Sequence, residues 1–410
     1  MNVLFLTSTL PRFAGDMQAG FVFEQAEAWR VARPEDTICI LAPHDAGIPL
    51  SEETNGVRVQ RFRYFAPERW QKLAYPAILP NLRRRPVLWL QVLPFVMAEY
   101  AAARRLVREL RPDVIYAHWV MPQGLVAWMI ARASGVPFVL QNHSSDLSVF
   151  LKAGPVGRRL AKRILRDAAH FFCVNAAQRD VAVGLFEGPE REEFARRCTV
   201  LPMGIADVPP VEAGAEKHFD IATIARLSRK KGLHYLIEAA ERLAARGIRP
   251  RIGLAGDGED RAFLAGMVNQ ADIAFQGFLT GETKERFLSA GERFAFPARA
   301  ADGDVEGLPV ALLEALSRGV PVLASRDTNI EQLHEWPQLR QAVIFIEDPA
   351  DIAALERALE RLLEVEPESV RHVSGLVARY RWNSLIGEYI AAVEQALQPR
   401  TGEGSAGAPK

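Results

Sequence analysis

Short apolar runs alternate with longer amphipathic segments along the first half of the chain. Five of these runs are typical of buried strands, at residues 2–8, 36–43, 113–119, 137–143 and 170–176. Most are separated by stretches in which apolar residues recur at helical spacing, such as GFVFEQAEAWRVAR and MAEYAAARRLVREL. This alternation predicts a parallel sheet with helices on both faces.

The alternation starts again after ADVPPVEAGAEK, a segment rich in proline, alanine and glycine that we interpret as a linker between domains. A second set of strands is predicted at residues 219–225, 251–257, 273–278, 293–298, 320–325 and 342–348. The pattern predicts an α/β protein with two doubly wound, Rossmann-like domains, residues 1–206 and 207–378, facing a central cleft. In such sheets ligands bind beyond the carboxyl ends of the strands.

Composition narrows the class of protein further. At 410 residues the chain is too long for one ordinary domain. Its 50 lysines and arginines balance its 50 aspartates and glutamates, which argues against a nucleic-acid-binding protein. Three cysteines without metal-ligand spacing fit reduced thiols in the cytoplasm. The amino terminus lacks a basic region and the apolar runs are short, so neither a signal peptide nor a spanning helix is expected.

Residues 58–100 depart from the general pattern, because basic and aromatic side chains are interleaved there. Five prolines, at positions 67, 76, 80, 86 and 94, are expected to prevent one long helix. One interpretation is an irregular insertion whose arginines extend their charged ends into water. The other is a surface that contacts an anionic membrane or a lipid-linked acceptor.

Two glutamates, Glu306 and Glu314, bracket seven residues where a loop is expected to become a helix. The helical pattern PVALLEALSRG begins with proline and ends with glycine, which places the helix start near Leu308 to Val310. Free amides at a helix start suit a phosphate. A carboxylate on each side of such amides describes a site for a sugar–diphosphate–nucleoside. The alternative is that Glu306 only precedes the helix and that Glu314 is exposed.

The stretch EGLPVALLEALSRGVPV resembles the signature of retaining glycosyltransferases of family 4, which have the GT-B fold. That signature is a glutamate, seven residues, a second glutamate, and then a glycine followed by PV or PI. It is carried here by Glu306, Glu314, Gly319, Pro321 and Val322. The preceding DGD, residues 302–304, is similar to members that build bacterial polysaccharides.

Further segments of the second half resemble the same family. IARLSRKKG matches its R-L-x-x-x-K-G segment, in which Arg226 and Lys231 can neutralise a leaving diphosphate without a metal. LAGDGED resembles its glycine loop, so Gly256 and Gly258 are expected to let the backbone approach the nucleotide, although GDG is also an ordinary turn. Departures from the family pattern at residues 327–331 leave the nucleotide and the sugar open.

The first half resembles the family's acceptor side. The expected acceptor-side residues are Gly20 in the first loop, His118 in DVIYAHW and Asp146 in QNHSSD. His143, in the same QNHSSD loop, matches a position that contacts the transferred sugar. A histidine that only caps or packs is the alternative for His143.

The end of the chain resembles the family's closing helix. Residues 379–398 match the helix that crosses back to the first domain, with Trp382 as a packing anchor. Residues 399–410 have no core-forming side chains and are predicted to be disordered.

The resemblance implies a retaining hexosyltransferase with an acceptor-binding first domain and a donor-binding second domain. Its donor is a UDP-sugar or GDP-sugar, and its acceptor is a glycan or a polyprenyl-diphosphate-linked glycan in bacterial surface-polysaccharide synthesis. Glu306 is expected to bind the transferred sugar, and Glu314 the ribose. The catalytic set is completed by Arg226, Lys231 and His143, and the donor-binding backbone comprises Gly307, Leu308, Pro309 and Val310.

No cofactor and no metal are expected, because the leaving diphosphate can itself take the proton of the acceptor. The DGD segment is interpreted as a turn. We expect the protein in the cytoplasm, or at the inner face of the cytoplasmic membrane.

Two rival functions remain open from the sequence, and a third is disfavoured. A nucleotide-sugar epimerase of the same architecture would release nucleotide without an acceptor. A dinucleotide oxidoreductase is disfavoured, because MNVLFLTST is not followed by G-x-G-x-x-G. A membrane-associated assembly protein with a vestigial donor site is the alternative that is not an enzyme.

Overall fold

The computed structural model describes residues 1–13, 15–16, 20–143, 147, 151–207, 216–300 and 306–398. The strands are β1 (Asn2–Leu6), β2 (Thr37–Pro43), β3 (Ser51–Thr54), β4 (Val57–Phe62), β5 (Val114–His118), β6 (Phe138–Asn142), β7 (His170–Cys173), β8 (Cys198–Val200), β9 (Ile221–Ile224), β10 (Ile252–Ala255), β11 (Ile273–Gly277), β12 (Phe294–Phe296), β13 (Val322–Ser325) and β14 (Val343–Ile346).

Helices occupy most of the connections between these strands. They are α1 (Phe21–Ala32), α2 (Ile78–Arg84), α3 (Trp89–Leu110), α4 (Leu125–Ser134), α5 (Gly154–Asp167), α6 (Ala176–Val183), α7 (Gly188–Arg196), α8 (Leu233–Ala245), α9 (Arg261–Met267), α10 (Gly281–Ala290), α11 (Val310–Leu316), α12 (Trp336–Leu339), α13 (Ile352–Glu364), α14 (Val373–Leu376) and α15 (Trp382–Leu397).

The first eight strands form one sheet, in the order β3-β4-β2-β1-β5-β6-β7-β8. Its pairs are parallel except for β3 and β4, which run antiparallel. Strand β1 pairs with β2 on one side and with β5 on the other. The loops after β1 and β5 therefore meet at a topological switch point, where open α/β sheets bind ligands.

The remaining six strands form a second, wholly parallel sheet in the order β11-β10-β9-β12-β13-β14. Its switch point lies at β9, between β10 and β12. Apolar side chains cover both faces of each sheet, so four buried clusters flank the two layers of strands. The predicted fold of two doubly wound, Rossmann-like domains facing a central cleft is confirmed.

Each strand that the hydrophobic pattern predicts is present, and β3, β4 and β8 were not predicted. The expectation of irregular structure at residues 58–100 is wrong at both ends. Strand β4 extends to Phe62, and α3 begins at Trp89 and continues through Pro94. A proline frees the carbonyl group four residues before it, here that of Leu90. Because Leu90 is exposed, water can satisfy that carbonyl and the helix tolerates the proline.

Helix α15 packs on the first domain. At the crossing, the Ile205 amide donates to the Tyr380 carbonyl at 2.9 Å, and the Trp382 amide donates to the Ile205 carbonyl at 2.9 Å. A Cβ on Gly204 would lie 2.3 Å from the Trp382 ring, so only glycine fits beneath it. Trp382 is therefore a packing residue at the junction.

One helix in the described part of the chain, Pro86–Leu110, is long and apolar enough to cross a membrane by length and composition alone. The short apolar runs of the sequence had predicted no such helix. Only 28% of its most apolar window is buried within the protein.

Several predictions concern residues outside the described ranges. They are the linker at 208–215, Asp146, the DGD segment at 302–304 and the tail at 399–410.

Candidate active site

The turn after β9 carries Lys231 and is shaped by a glycine. Residues Arg229–Lys231 form one 3-10 turn, and Gly232 follows with a φ of 68° before α8 begins. A Cβ on Gly232 would lie 1.7 Å from the carbonyl oxygen of Pro297, so only glycine allows this close approach. The turn is thus pressed against the chain that leaves β12.

Lys231 and Glu306 form an ion pair in the cleft. The Nζ of Lys231 lies 2.7 Å from Oε1 of Glu306, and the Nζ of Lys230 lies 3.8 Å from Oε2. The side chains of Lys231 and Glu306 are only 14% and 13% exposed. The Phe296 ring lies beneath the Lys231 ammonium, 5.2 Å from its centre. The structure therefore brings two predicted catalytic residues together.

Arg226 contacts a different carboxylate. Its Nη2 lies 3.0 Å from Oε2 of Glu259, and both side chains are partly exposed. Glu259 follows the GDG loop after β10, and its sequence context did not predict a contact with Arg226. Arg226 and Lys231 therefore stand on one loop with separate partners.

The glycines of the GDG loop have a structural explanation. A Cβ on Gly256 would lie 1.8 Å from the Ala225 carbonyl oxygen, and one on Gly258 would lie 2.4 Å from that of Leu227. These two glycines allow the loop after β10 to pack on the loop after β9. A role in approaching a nucleotide stays a prediction.

The segment from Glu306 to Gly307 touches the first domain. The Asn329 amide donates to the Glu306 carbonyl at 3.0 Å, and Asn175, next to the end of β7, donates to the same carbonyl at 3.5 Å. A Cβ on Gly307 would lie 3.1 Å from Val174 and 3.6 Å from the His143 carbonyl oxygen. The loop of the second domain that carries Glu306 and Gly307 thus abuts the strand ends of the first domain.

Helix α11 begins at Val310, as the sequence predicts, and Pro309 precedes it. No side chain in the described residues caps this start. The amides of Leu312 and Leu313 donate to the Pro309 carbonyl, and the amides that precede them are open to water or to a ligand. Gly307, Leu308, Pro309 and Val310 line this start.

Glu314 lies inside α11 and is 3% exposed, so the alternative of an exposed Glu314 is wrong. Lys284 of α10 approaches it, with Nζ 2.6 Å from Oε1. Burial opposes the charge on Lys284, but the neighbouring charges of Glu314, Glu24 and Glu285 outweigh it and raise its pKa. Glu24 belongs to α1, so this charged cluster joins the two domains.

Part of the Glu24 side chain is open to solvent. The buried part raises the pKa of its carboxyl, and the positive charge of Lys284 reduces this increase. Gly20 lies one turn before it, at the start of α1. A Cβ on Gly20 would lie 3.2 Å from Oε1 of Glu24. The predicted acceptor-side glycine is therefore next to the cluster of Lys284 and Glu314.

His118 ends β5, His143 follows the last residue of the neighbouring strand β6, and the two imidazoles meet side by side. Nδ1 of His118 lies 2.9 Å from Nε2 of His143. Burial lowers the pKa of His143 to about 3, and burial together with the neighbouring imidazole lowers that of His118 well below its usual range. Both imidazoles are therefore neutral at physiological pH, and one donates a hydrogen bond to the other.

Trp119 follows His118 and has a φ of 72° and a ψ of 136°, a conformation that costs a non-glycine residue free energy. Its ring lies 4.8 Å from that of His143, and Phe21 lies at the same distance from His143. An aromatic wall thus encloses the imidazole of His143. Trp119 could be recognised in the sequence only by its place after His118.

No group of three or more histidine, cysteine, aspartate or glutamate side chains in the described residues could hold a metal ion. Independence from a metal stays a prediction.

Two families match consecutive parts of the chain. The family described as glycosyltransferase family 4 matches residues 37–206, and the family described as glycosyl transferases group 1 matches residues 207–374.

Relatives of known name are glycosyltransferases. The putative teichuronic acid biosynthesis glycosyltransferase TuaC of Bacillus subtilis is 25% identical over 353 residues, which span 81% of this chain and 83% of the relative. The amylovoran biosynthesis glycosyltransferase AmsK of Erwinia amylovora is 34% identical over 176 residues, 42% of each chain. The chain therefore spans less than half of this second relative.

Solved structures share the fold at low identity. Sucrose-phosphate synthase from Thermosynechococcus elongatus has a TM-score of 0.68 and 17% identity, with 96% of this chain and 98% of that one covered. The catalytic domain of starch synthase IV from Arabidopsis thaliana, bound to ADP and acarbose, has a TM-score of 0.64 and 14% identity over 97% and 99% of the chains. Together, the two families and the relatives show that the chain is a glycosyltransferase with the GT-B fold.

Proposed function

We propose that the enzyme transfers a hexose, with retention, from a nucleotide-diphosphate sugar to a glycan or lipid-linked acceptor in bacterial surface-polysaccharide synthesis. The observation that carries the proposal is the ion pair of Lys231 and Glu306, which places a cation and a carboxylate side by side where the two domains meet. Relatives named for teichuronic acid and amylovoran synthesis support the polysaccharide class.

The leaving diphosphate is the group that most needs stabilisation in this reaction. Lys231 supplies a partly buried positive charge, and Lys230 adds a second within 3.8 Å of the same carboxylate. Cations arranged in advance in a cleft shielded from water lower the barrier more than exposed ones, because no solvent has to reorganise. Arg226 stands on the same loop and can reach a diphosphate by leaving its exposed partner Glu259.

Glu306 is suited to the transferred sugar. Its carboxylate can accept hydrogen bonds from sugar hydroxyl groups and can oppose positive charge on the sugar as the bond to the diphosphate lengthens. Glu314 is suited to the ribose, because it is buried and oriented by Lys284. The start of α11 lies between these two glutamates, where its amides can meet the phosphates.

The two histidines are suited to hydrogen bonding rather than to proton transfer at neutral pH. A neutral imidazole at His143 can exchange hydrogen bonds with a sugar hydroxyl while His118 orients it. The diphosphate that departs can take the proton of the acceptor from the same face of the sugar. Retention follows from departure and attack on that one face, and no metal or cofactor is needed.

The donor class that we propose is a UDP-sugar or a GDP-sugar. We place the reaction in the cytoplasm, where such donors would meet this enzyme. The three cysteines are free, as expected for that compartment.

Thermal stabilisation by a panel of UDP-, GDP- and ADP-sugars, with and without EDTA, tests the donor site. A ligand that binds only the folded protein raises the melting temperature. We expect one donor to raise the melting temperature equally with and without EDTA. This increase should be absent in the Lys231→Ala variant. Arg242→Ala is the matched control, because Arg242 is an exposed residue that pairs with Glu238 on α8.

Acceptor dependence then separates the rival functions. Nucleotide release that requires an acceptor supports transfer, whereas release without any acceptor supports an epimerase. A panel in which no nucleotide sugar changes the melting temperature would contradict the proposal and support a vestigial donor site. A Glu306→Gln variant with full turnover would contradict the role of Glu306 in binding the sugar.

A further inference from the structure

Large apolar side chains are exposed in one place on the first domain. Thirteen large apolar residues in the described chain are exposed, and six of them fall between residues 70 and 97, with exposed fractions from 53% to 73%. We call these six the α3 apolar surface. They are Trp70, Val87, Trp89, Leu90, Leu93 and Met97. The other seven are spread over the rest of the protein, so this concentration needs an explanation.

The apolar surface is the outer face of a helix whose inner face is already buried. Leu90, Leu93 and Met97 recur at helical spacing on the solvent side of α3. The opposite side carries Phe95 and Leu106, which belong to the core beneath the helix. An ordinary surface helix has polar residues on its outer face. The first half of α3 is therefore apolar on both faces.

The helix is not free to cross a membrane by itself. Glu99 in its middle is fully buried and accepts hydrogen bonds from Gln123 at 3.2 and 3.3 Å. Gln91 donates to the Trp70 carbonyl at 2.7 Å. Crossing a bilayer would expose these polar groups to lipid and would separate α3 from the core on which it packs. A helix held this way fits a position in the plane of the membrane interface.

Exposed arginines flank the apolar surface on both sides. On one side, Arg83 and Arg84 end α2 and Arg85 follows it. On the other side, Arg104 and Arg108 continue the outer stripe of α3. None of these five forms an ion pair with a carboxylate within the described ranges. Apolar residues next to unpaired arginines are complementary to a partner that has an apolar interior and negatively charged groups at its boundary.

The surface lies at the ligand edge of the first sheet. Residues 63–88 follow the carboxyl end of β4, and α3 then returns to the start of β5. Arg61, near the end of β4, donates to the Pro11 carbonyl in the loop after β1 at 2.8 Å. The Tyr75 hydroxyl donates to the Pro43 carbonyl at the end of β2 at 3.0 Å. The apolar half of α3 is thus on the side where the loops of the cleft begin.

We propose that the α3 apolar surface docks on an anionic lipid bilayer, with Trp89, Leu90, Leu93 and Met97 among the acyl chains and the flanking arginines at the phosphate groups. Docking in this way turns the cleft edge of the first domain toward the membrane. An acceptor whose lipid stays in the bilayer then reaches the cleft with its head group. This last step rests on the proposed function, whereas the docking itself does not.

Sedimentation of the full-length protein with vesicles tests the proposal. We expect binding to vesicles of phosphatidylcholine mixed with phosphatidylglycerol, weaker binding to phosphatidylcholine alone, and a decrease with added salt. The double variant Leu90→Glu/Leu93→Glu should lower the bound fraction at least about tenfold, since two apolar anchors are lost. The triple variant Arg83→Glu/Arg84→Glu/Arg85→Glu should abolish the preference for anionic vesicles.

Val156→Glu is the matched control, because Val156 is 75% exposed on α5 and lies outside the α3 apolar surface. It should bind vesicles as the wild type does. All variants change exposed side chains, so equal melting temperatures confirm that they fold.

Failure to bind anionic vesicles at low salt, or unchanged binding by the leucine variant, would overturn the proposal. So would a dimer in solution that the leucine variant dissociates, because the surface would then join two copies of the chain. Vesicle binding without a melting shift from any nucleotide sugar would contradict the proposed function and leave the docking supported.

Discussion

The ammonium of Lys231 lies 2.7 Å from a carboxylate oxygen of Glu306, although 75 residues separate the two along the chain. They meet because the turn after β9 and the loop after β12 leave neighbouring strands at the same edge of the sheet. A charged contact between two loops positions both of them. The cleft therefore has its charges arranged before a donor binds, which is the condition for strong electrostatic catalysis.

Replacing Lys231 with alanine should remove the charge that we propose faces the diphosphate. We expect turnover to fall roughly a hundredfold or more, because the lost contact is made most strongly in the transition state. The melting temperature should change little, since Lys230 still lies near Glu306. Steady-state kinetics beside the Arg242→Ala control would measure the effect, and equal turnover in the two variants would contradict it.

Replacing Lys284 with methionine should leave Glu314 buried without its cation. We expect a loss of about 2 kcal/mol in the free energy of unfolding and weaker donor binding, because a buried group is left without its partner. The double variant Lys284→Met/Glu314→Gln should recover stability but not donor affinity. Arg286→Met, on the exposed side of α10, is the control. Recovered donor affinity in the double variant would exclude a role of Glu314 in binding the ribose.

Glu99 should make the protein less stable as pH rises. Burial raises the pKa of its carboxyl from 4.5 to about 8. The folded state then binds a proton that the unfolded state releases, so stability is lost between pH 4.5 and 8. Glu99→Gln should remove this loss and add up to about 3 kcal/mol to the free energy of unfolding at pH 7. Chemical denaturation at pH 5 and pH 8 would measure it. If Glu99→Gln changed the free energy of unfolding equally at pH 5 and pH 8, Glu99 would be ionised in the folded protein.

His143 should have the opposite dependence on pH. Its folded pKa of about 3 lies below the usual 6.5, so the unfolded state takes up a proton first and stability falls as pH drops below 6.5. His143→Gln keeps a donor for His118 and should reduce this acid destabilisation by about 1.4 kcal/mol per pH unit at most. Denaturation curves from pH 7 to pH 4 would show it, with His218→Gln as a control for an exposed imidazole. Parallel curves for His143→Gln and the wild type would contradict a neutral, buried imidazole.

The positions of the main site residues could be predicted because they follow strands with strong hydrophobic patterns. Glu306 precedes a helix whose proline and glycine mark its ends, and Lys231 follows a buried strand. His118 ends β5 and His143 follows the neighbouring strand β6, and the structure brings them into contact. These relations depend on order and periodicity, which a sequence displays directly.

Partners from separate elements could not be predicted. Lys284 sits in a polar stretch of α10 and resembles any solvated lysine, yet it folds against buried Glu314. Glu259 likewise looks like a surface acid until its loop meets that of Arg226. The start of α3 was missed because proline normally ends helices, whereas Leu90, whose carbonyl Pro94 frees, is an exposed residue that water can reach.

Helix α15 follows the second domain in the chain but covers one face of the sheet in the first domain, so the first domain is completed after the second. Tyr389 and Ile390 of this last helix fill one face of the first sheet, beside Trp29 of α1. A chain emerging from the ribosome therefore makes the strands of its first domain early but covers one side of them last. The second domain can close on its own beforehand. The first domain keeps part of its apolar surface exposed until α15 has left the ribosome.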